Sequence, residues 1–255
     1  MNQYYHIGVD VGGSNIRIGI VDANQKVYHI EKVKSSEVAP RFKAFILDYY
    51  HRHSKDYAIS AISMGYPGVV DDTNKHVLNI PNQPLFETTT YIKELEDELN
   101  IPVFIDNDVN HLLVYDINHL GIKEANVLGF YIGTGFGNGI ILNHQLFYGD
   151  NNSAGELGHI PVFGNKEVCG CGKVGCIETI ASGVALNRIY KKFFSHLVFE
   201  DMFTLHKDHP ALKDLVEAMA FAIATEMITL DVNTIVVGGG VIHSVDFPIE
   251  DLEAI

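Results

Sequence analysis

Short apolar runs that suit strands alternate with longer runs of helical period, and the alternation occurs twice along the chain. Residues 5–9, 16–21 and 27–33 read as three strands, the first two separated by a glycine turn. Phe42, Phe45, Ile46 and Tyr49 recur at helical spacing, which predicts a helix over 38–55. Residues 59–64 form an apolar run ending in a Gly-Tyr-Pro-Gly turn, as a buried strand would. Residues 91–100 carry Ile92, Leu95 and Leu99 on one helical face, and Pro102 separates them from a strand at 103–105.

The pattern then restarts. Residues 109–120 read as a helix, and 127–132 with 139–142 as a hairpin around a second glycine turn. Helices are predicted over 178–194 and 211–230, and a strand at 234–237 runs into three glycines. Two successive strand-and-helix sets, each opened by a glycine-punctuated hairpin, predict two related α/β lobes with a central cleft. The boundary is set between a smaller lobe, 1–107, and a larger one, 108–255.

Composition narrows the partners. The 255 residues carry a formal net charge of −14, so a phosphate backbone is repelled at long range and nucleic acid is not an expected partner. No run is long and apolar enough to cross a membrane, and no signal peptide opens the chain, so a reducing cytoplasm is expected.

All three cysteines fall within eight residues, and a histidine stands ten positions before the first: His159, Cys169, Cys171 and Cys176. Four such ligands on a glycine-rich loop suit a closed tetrahedral zinc site. Packed apolar cysteines seldom cluster in such turns, and a disulfide framework would want an even count. Glu156 and Glu178 flank the loop, which therefore reads as a metal-stapled segment holding carboxylates near a site.

Asp10, Gly12, Gly13, Ser14 and Asn15 lie in the first hairpin turn. Gly133, Thr134, Gly135 and Gly137 repeat the logic in the second. Such turns present N–H groups to a phosphate, and two of them could grip a polyphosphate, although each alone is also an ordinary β-turn. The first is neither a Walker A loop nor a dinucleotide fingerprint, because a strand follows it. Asp10 could hold Mg2+ through water. Gly239 and Gly240 follow a buried strand and could let a base or ribose lie against the backbone. Asp106, Asn107 and Asp108 follow the apolar strand at 103–105. One aspartate there can take a proton from a sugar hydroxyl while the other caps the next helix, and Asn107 can bond hydroxyls both ways.

These segments, together with Gly155-Glu-Leu-Gly-His159 and the block from Cys169 to Glu178, resemble the ROK family of sugar kinases. The order and spacing fit from residue 6 to about residue 242. The resemblance implies the actin-like ATPase fold (ribonuclease H-like and duplicated), with ATP and Mg2+ as cosubstrates. It also implies phosphorylation of a hexose, usually at its 6-hydroxyl, by a homodimer.

Carried over, Asp108 resembles the catalytic base, and Asn82, Gly68, Asn107, Glu156, His159 and Glu178 resemble the sugar side. His159 would serve twice, with one ring nitrogen on structural Zn2+ and the other facing a sugar hydroxyl, so that zinc shapes the sugar pocket without touching the phosphate. Several segments, such as Pro81-Asn-Gln-Pro-Leu85, are most similar to members that phosphorylate D-allose. Glucokinase, fructokinase and N-acetylmannosamine kinase activities are the alternatives, as is an inactive sugar-binding protein or regulator. Only nine residues precede Asp10, which argues against a DNA-reading module. Two features depart from the family: Asn138 stands where many members have glycine, and the chain stops at Ile255, earlier than is usual, so truncation is expected.

Overall fold

A computed structural model describes residues 4–71, 73, 75–79 and 90–254. The chain divides into two compact units, Met1–Leu112 and Leu113–Ile255. The division falls inside a helix, Asp108–Leu120.

The first unit begins with β1 (Tyr4–Val11), β2 (Asn15–Val21) and β3 (Val27–Lys34), an antiparallel meander. A short helix α1 (Ser35–Val38) and α2 (Phe42–His53) follow, then β4 (Ala58–Tyr66), β5 (Val69–Val70) and β6 (Val77–Asn79). The unit continues through α3 (Tyr91–Leu99) and β7 (Val103–Asn107) into α4 (Asp108–Leu120). The main sheet runs β3-β2-β1-β4-β7, with β4 parallel to both β1 and β7. Isoleucines at 7, 16, 18 and 20 pack with Phe42, Phe45, Ile46 and Tyr49 of α2 and with Ile92, Leu95 and Leu99 of α3 in one core. Each large apolar side chain so buried contributes about 1.5–3 kcal/mol before entropy is charged against it.

The second unit repeats the opening of the first. β8 (Val127–Ile132), β9 (Phe136–Leu142) and β10 (Gln145–Leu146) form an antiparallel meander. The helices α5 (Gly183–Ile189), α6 (Met202–His206) and α7 (Pro210–Leu230) come next. They lead to β11 (Ile235–Gly238), parallel to β8, and to α8 (Ile249–Glu253). The order β10-β9-β8-β11 is that of β3-β2-β1-β4. Strand β8 is buried along its whole length, so it reads as an unbroken apolar run with no alternation. Its core partners include Leu212, Leu215, Val216 and Met219 of α7.

Two helices differ from expectation. The stretch 38–55 is not one helix: Pro40 lies in a 3-10 turn, Ala39–Arg41, and α2 starts only at Phe42. A proline lacks the N–H a helix interior needs. The stretch 178–194 is also broken. Ile177–Thr179 is a 3-10 turn, and the buried Ser182 caps α5 by accepting a hydrogen bond from the N–H of Val184. The chain beyond Ile189 then widens into a π-helical turn, Tyr190–Phe194.

Candidate active site

In the first unit the carboxyl ends of three parallel strands carry the polar groups. Asp10 of β1 lies in register with Gly65 of β4, and Gly65 with Asp106 of β7. Ligands of α/β sheets bind outside such strand ends. Asp10 opens the first glycine turn, which closes with the N–H of Gly12 on the carbonyl of Asn15 (3.1 Å). Ser35 braces that turn: its hydroxyl donates to the carbonyl of Gly12 at 2.7 Å, and its N–H to that of Ser14 at 3.0 Å.

At the same edge, β7 gives way directly to α4. The cap of α4 is Asn107, where an aspartate had been expected. Its Oδ1 accepts from the N–H groups of Val109 (2.8 Å) and Asn110 (3.3 Å). Its Nδ2 donates to the carbonyl of Gly68 at 3.1 Å, which joins two residues predicted for the sugar side. Asp106 is buried, and its Oδ1 accepts from the N–H of Asn107 (2.7 Å) and from Asn110 Nδ2 (3.0 Å). Asp108 is half-buried in the first turn of α4, and its Oδ1 faces the N–H of Val109 at 3.0 Å. Asn82 lies outside the described residues.

The second unit gathers His159, Cys169, Cys171 and Cys176, whose ligand atoms all lie within 4.8 Å of one another. Cys171 and Cys176 Sγ are 3.7 Å apart, and Cys169 Sγ is 3.6 Å from His159 Nδ1. Tetrahedral ligands at the zinc–sulfur and zinc–nitrogen distances stand about 3.6–3.8 Å apart, so the cluster fits that metal. Burial pushes the Cys169 thiol up to about 12, so a metal there has to displace a tightly held proton.

The other imidazole nitrogen of His159, Nε2, lies 3.7 Å from Glu156 Oε2, so the two ring nitrogens face different groups. Desolvation pushes the Glu156 carboxyl up, with His159 opposing and Glu178 adding to the shift. Glu178 sits between the cluster and the second glycine turn. Its Oε1 is 3.4 Å from Cys169 Sγ, and its Oε2 accepts the N–H of Phe136 at 3.0 Å.

Gly133, Thr134 and Gly135 join β8 to β9, and Gly137 lies in β9 opposite Tyr131. Gly239 has φ +99°, and a Cβ there would stand 2.5 Å from the carbonyl oxygen of Ile132. Only glycine fits that approach, which brings the triple-glycine turn against the end of β8, just before the second glycine turn. Asn138 lies in β9 opposite Phe130. Its side chain is buried, with Nδ2 donating to the carbonyl of Gly129 (3.1 Å) and to Glu226 Oε2 (2.7 Å) on α7.

Sequence reasoning missed two charged groups. Arg17 donates to Asp10 Oδ2 at 2.7 Å, and the in-register pairing of Asp10 with Arg17 across the first hairpin is the signal that could have found it. Glu226, held by Asn138, is raised by burial to about 7, and its apolar helical surroundings gave no sign of a partner.

A glycine-turn hairpin opening the main sheet of each unit, with Asp10 and Asp106 at the strand ends of the first and a Cys/His loop in the second, defines the class: this is the actin-like ATPase fold. The ROK family profile matches residues 6–255, and the chain belongs to that family. A glucokinase of Thermotoga maritima is 28% identical over 269 residues, covering 92% of this chain and 81% of its own. An N-acetyl-D-glucosamine kinase of Photobacterium profundum is 31% identical over 262 residues, covering 93% and 84%. Among solved structures, a ROK family glucokinase from Streptomyces griseus in complex with glucose and AMPPNP superposes with a TM-score of 0.81 at 26% identity, covering 98% of this chain and 88% of that one.

Proposed function

We propose that this ATP-dependent sugar kinase transfers the γ-phosphoryl group of ATP to the 6-hydroxyl of a hexose, with D-allose preferred and Asp108 as general base. The observation that carries the reading is the strand-end row Asp10–Gly65–Asp106, which brings the carboxylate of the first glycine turn and the β7–α4 junction to one sheet edge. The names of the relatives support a phosphorylated hexose. The preference for allose rests on segment likeness alone, and glucose or N-acetylglucosamine fits the relatives equally well.

In this reading Asp108 accepts the proton of the 6-hydroxyl as that oxygen forms its bond to the γ-phosphorus. The bond to the bridging oxygen breaks, and ADP leaves with the electron pair. Asn107, Gly68, Asn82, Glu156, His159 and Glu178 hold the sugar. The turns at 12–15 and 133–137 present N–H groups to the phosphates, and the backbone at Gly239 and Gly240 accommodates the base or ribose. Asp10 would hold Mg2+, which supplies countercharge to the phosphates. His159, Cys169, Cys171 and Cys176 would hold Zn2+, which supplies a fixed loop shape and a fixed imidazole tautomer. Three free thiols suit a reducing cytoplasm, and the family likeness supports a homodimer. Among the described residues no helix is long and apolar enough to cross a membrane.

The test is a coupled ADP-release assay with ATP and a panel of allose, glucose, mannose, fructose, N-acetylglucosamine and N-acetylmannosamine. Allose should give the highest kcat/KM. A faster rate on another hexose removes the allose preference alone. No turnover on any sugar, with sugar binding intact, removes the catalytic reading.

A further inference from the structure

Two segments that carry metal ligands converge on one residue of the second glycine turn, Phe136. From one side Gly158, next to His159, packs so closely that a Cβ there would stand 2.5 Å from the carbonyl oxygen of Phe136. From the other side Glu178, two residues beyond Cys176, accepts the N–H of Phe136 at 3.0 Å. The segment after Glu178 continues along the turn. The N–H of Gly183 donates to the carbonyl of Gly133 (2.8 Å), and that of Val184 to the carbonyl of Thr134 (3.0 Å). A Cβ on Gly183 would stand 2.4 Å from the oxygen of Gly133.

These bonds orient the turn. In a trans peptide the N–H points opposite to the C=O. With the carbonyls of Gly133 and Thr134 drawn toward the start of α5, the N–H groups of Thr134 and Gly135 face the other way. That is the arrangement an anion-binding turn requires. Glu178 is itself anchored: its carbonyl accepts the Ser182 hydroxyl at 2.7 Å, and Ser182 is fully buried. The two arms already meet through the backbone, since Ile177 N–H donates to Ile160 O at 3.0 Å. A metal on His159 and Cys176 adds a second closure to the same ring.

We propose that the Cys/His loop is a clasp on the second glycine turn, so that metal loading tightens binding of the nucleotide's phosphates, with Glu178 as the positioning residue between them. The proposal rests on the kinase reading and extends it, because that reading confines the metal's influence to the sugar side.

The test measures the Kd of MgATP by calorimetry without sugar, on zinc-loaded protein and on protein stripped with a chelator under reducing conditions, with far-UV circular dichroism reporting the fold. Stripped protein that keeps its fold should bind MgATP about tenfold more weakly. Glu178→Ala should weaken MgATP to a similar degree while retaining zinc by elemental analysis, and stripping that variant should weaken it no further. Glu178→Gln keeps an amide oxygen for the Phe136 N–H and should bind MgATP as the unaltered chain does, a rescue that a role of the carboxylate's charge would not give.

If stripping unfolds the chain, the Ala and Gln variants in loaded form decide the matter. Equal MgATP affinity with and without metal in folded protein overturns the clasp, as does unchanged affinity in Glu178→Ala. Loaded protein that binds no MgATP at all overturns the kinase reading together with the clasp, whereas metal-independent binding overturns the clasp alone.

Discussion

Replacing Glu226 by Gln should stabilise the protein in alkaline solution and leave it nearly unchanged in acid. Glu226 lies on the apolar helix α7, where burial raises its carboxyl from an ordinary 4.5 to about 7, and the donor at Asn138 Nδ2 offsets only part of that shift. A carboxyl whose folded pKa lies above its unfolded one binds more protons folded than unfolded between the two values. Its contribution to stability is therefore complete below about pH 4.5, is lost as pH rises through about 7, and stays lost above that. The full gap corresponds to roughly 3 kcal/mol, and because Glu226 is only partly buried, solvent screening brings the expectation to about 1–2 kcal/mol.

Glutamine keeps an oxygen for the Asn138 amide and carries no charge to bury. At pH 8 Glu226→Gln should melt about 3–6 °C above the unaltered protein, and at pH 5 the two should nearly coincide. Differential scanning calorimetry across pH 5–8.5 reads the difference directly, since the rest of this acidic chain titrates alike in both. A difference in Tm that does not change across that range would refute the assignment of a raised pKa to this carboxyl.

The remaining expectations concern the site and its supports. Asp108→Asn should lower kcat by about 10²–10⁴-fold while calorimetry still detects hexose binding, and near-normal turnover would remove Asp108 from its role. Folded protein purified with added zinc should carry one zinc per chain by elemental analysis, and Cys176→Ser should lose it; folded protein without bound metal would reduce the cluster to packing. Ser182→Ala removes the cap of α5 and the anchor of Glu178, and should cost about 1–2 kcal/mol in urea unfolding; no loss would mean that the cap is dispensable. Gly239→Ala puts a Cβ 2.5 Å from the Ile132 oxygen at φ +99°, so it should weaken MgATP binding and lower Tm together, and a neutral result would contradict the close approach described.

What was legible in the sequence was what nearby residues encode. The repeated alternation of strand and helix, the hairpin turns and the one-sided faces of α2 and α3 all follow from period and punctuation within a dozen residues. The Cys/His cluster was legible because its four ligands lie on one short loop, whereas the polar triplet after the apolar strand left Asp106 and Asp108 as alternatives, and only the family resemblance singled out Asp108. Local rules failed where a single residue overrode the period: Pro40 delays α2, and Ser182 starts a new helix inside what reads as one.

Tertiary structure alone decided which way side chains face and what they meet. The sequence shows Asn138 beside a glycine turn, and the fold turns its amide into the interior toward Glu226, 88 residues away. Two aspartates were the candidates for the cap of α4, and the fold gives it to Asn107 between them, whose Oδ1 accepts from the N–H groups of Val109 and Asn110. The union of Gly158, Glu178 and Gly183 on one glycine turn is invisible along the chain. Such contacts are made by strand register and loop closure over long separations, and short-range pattern carries no information about either.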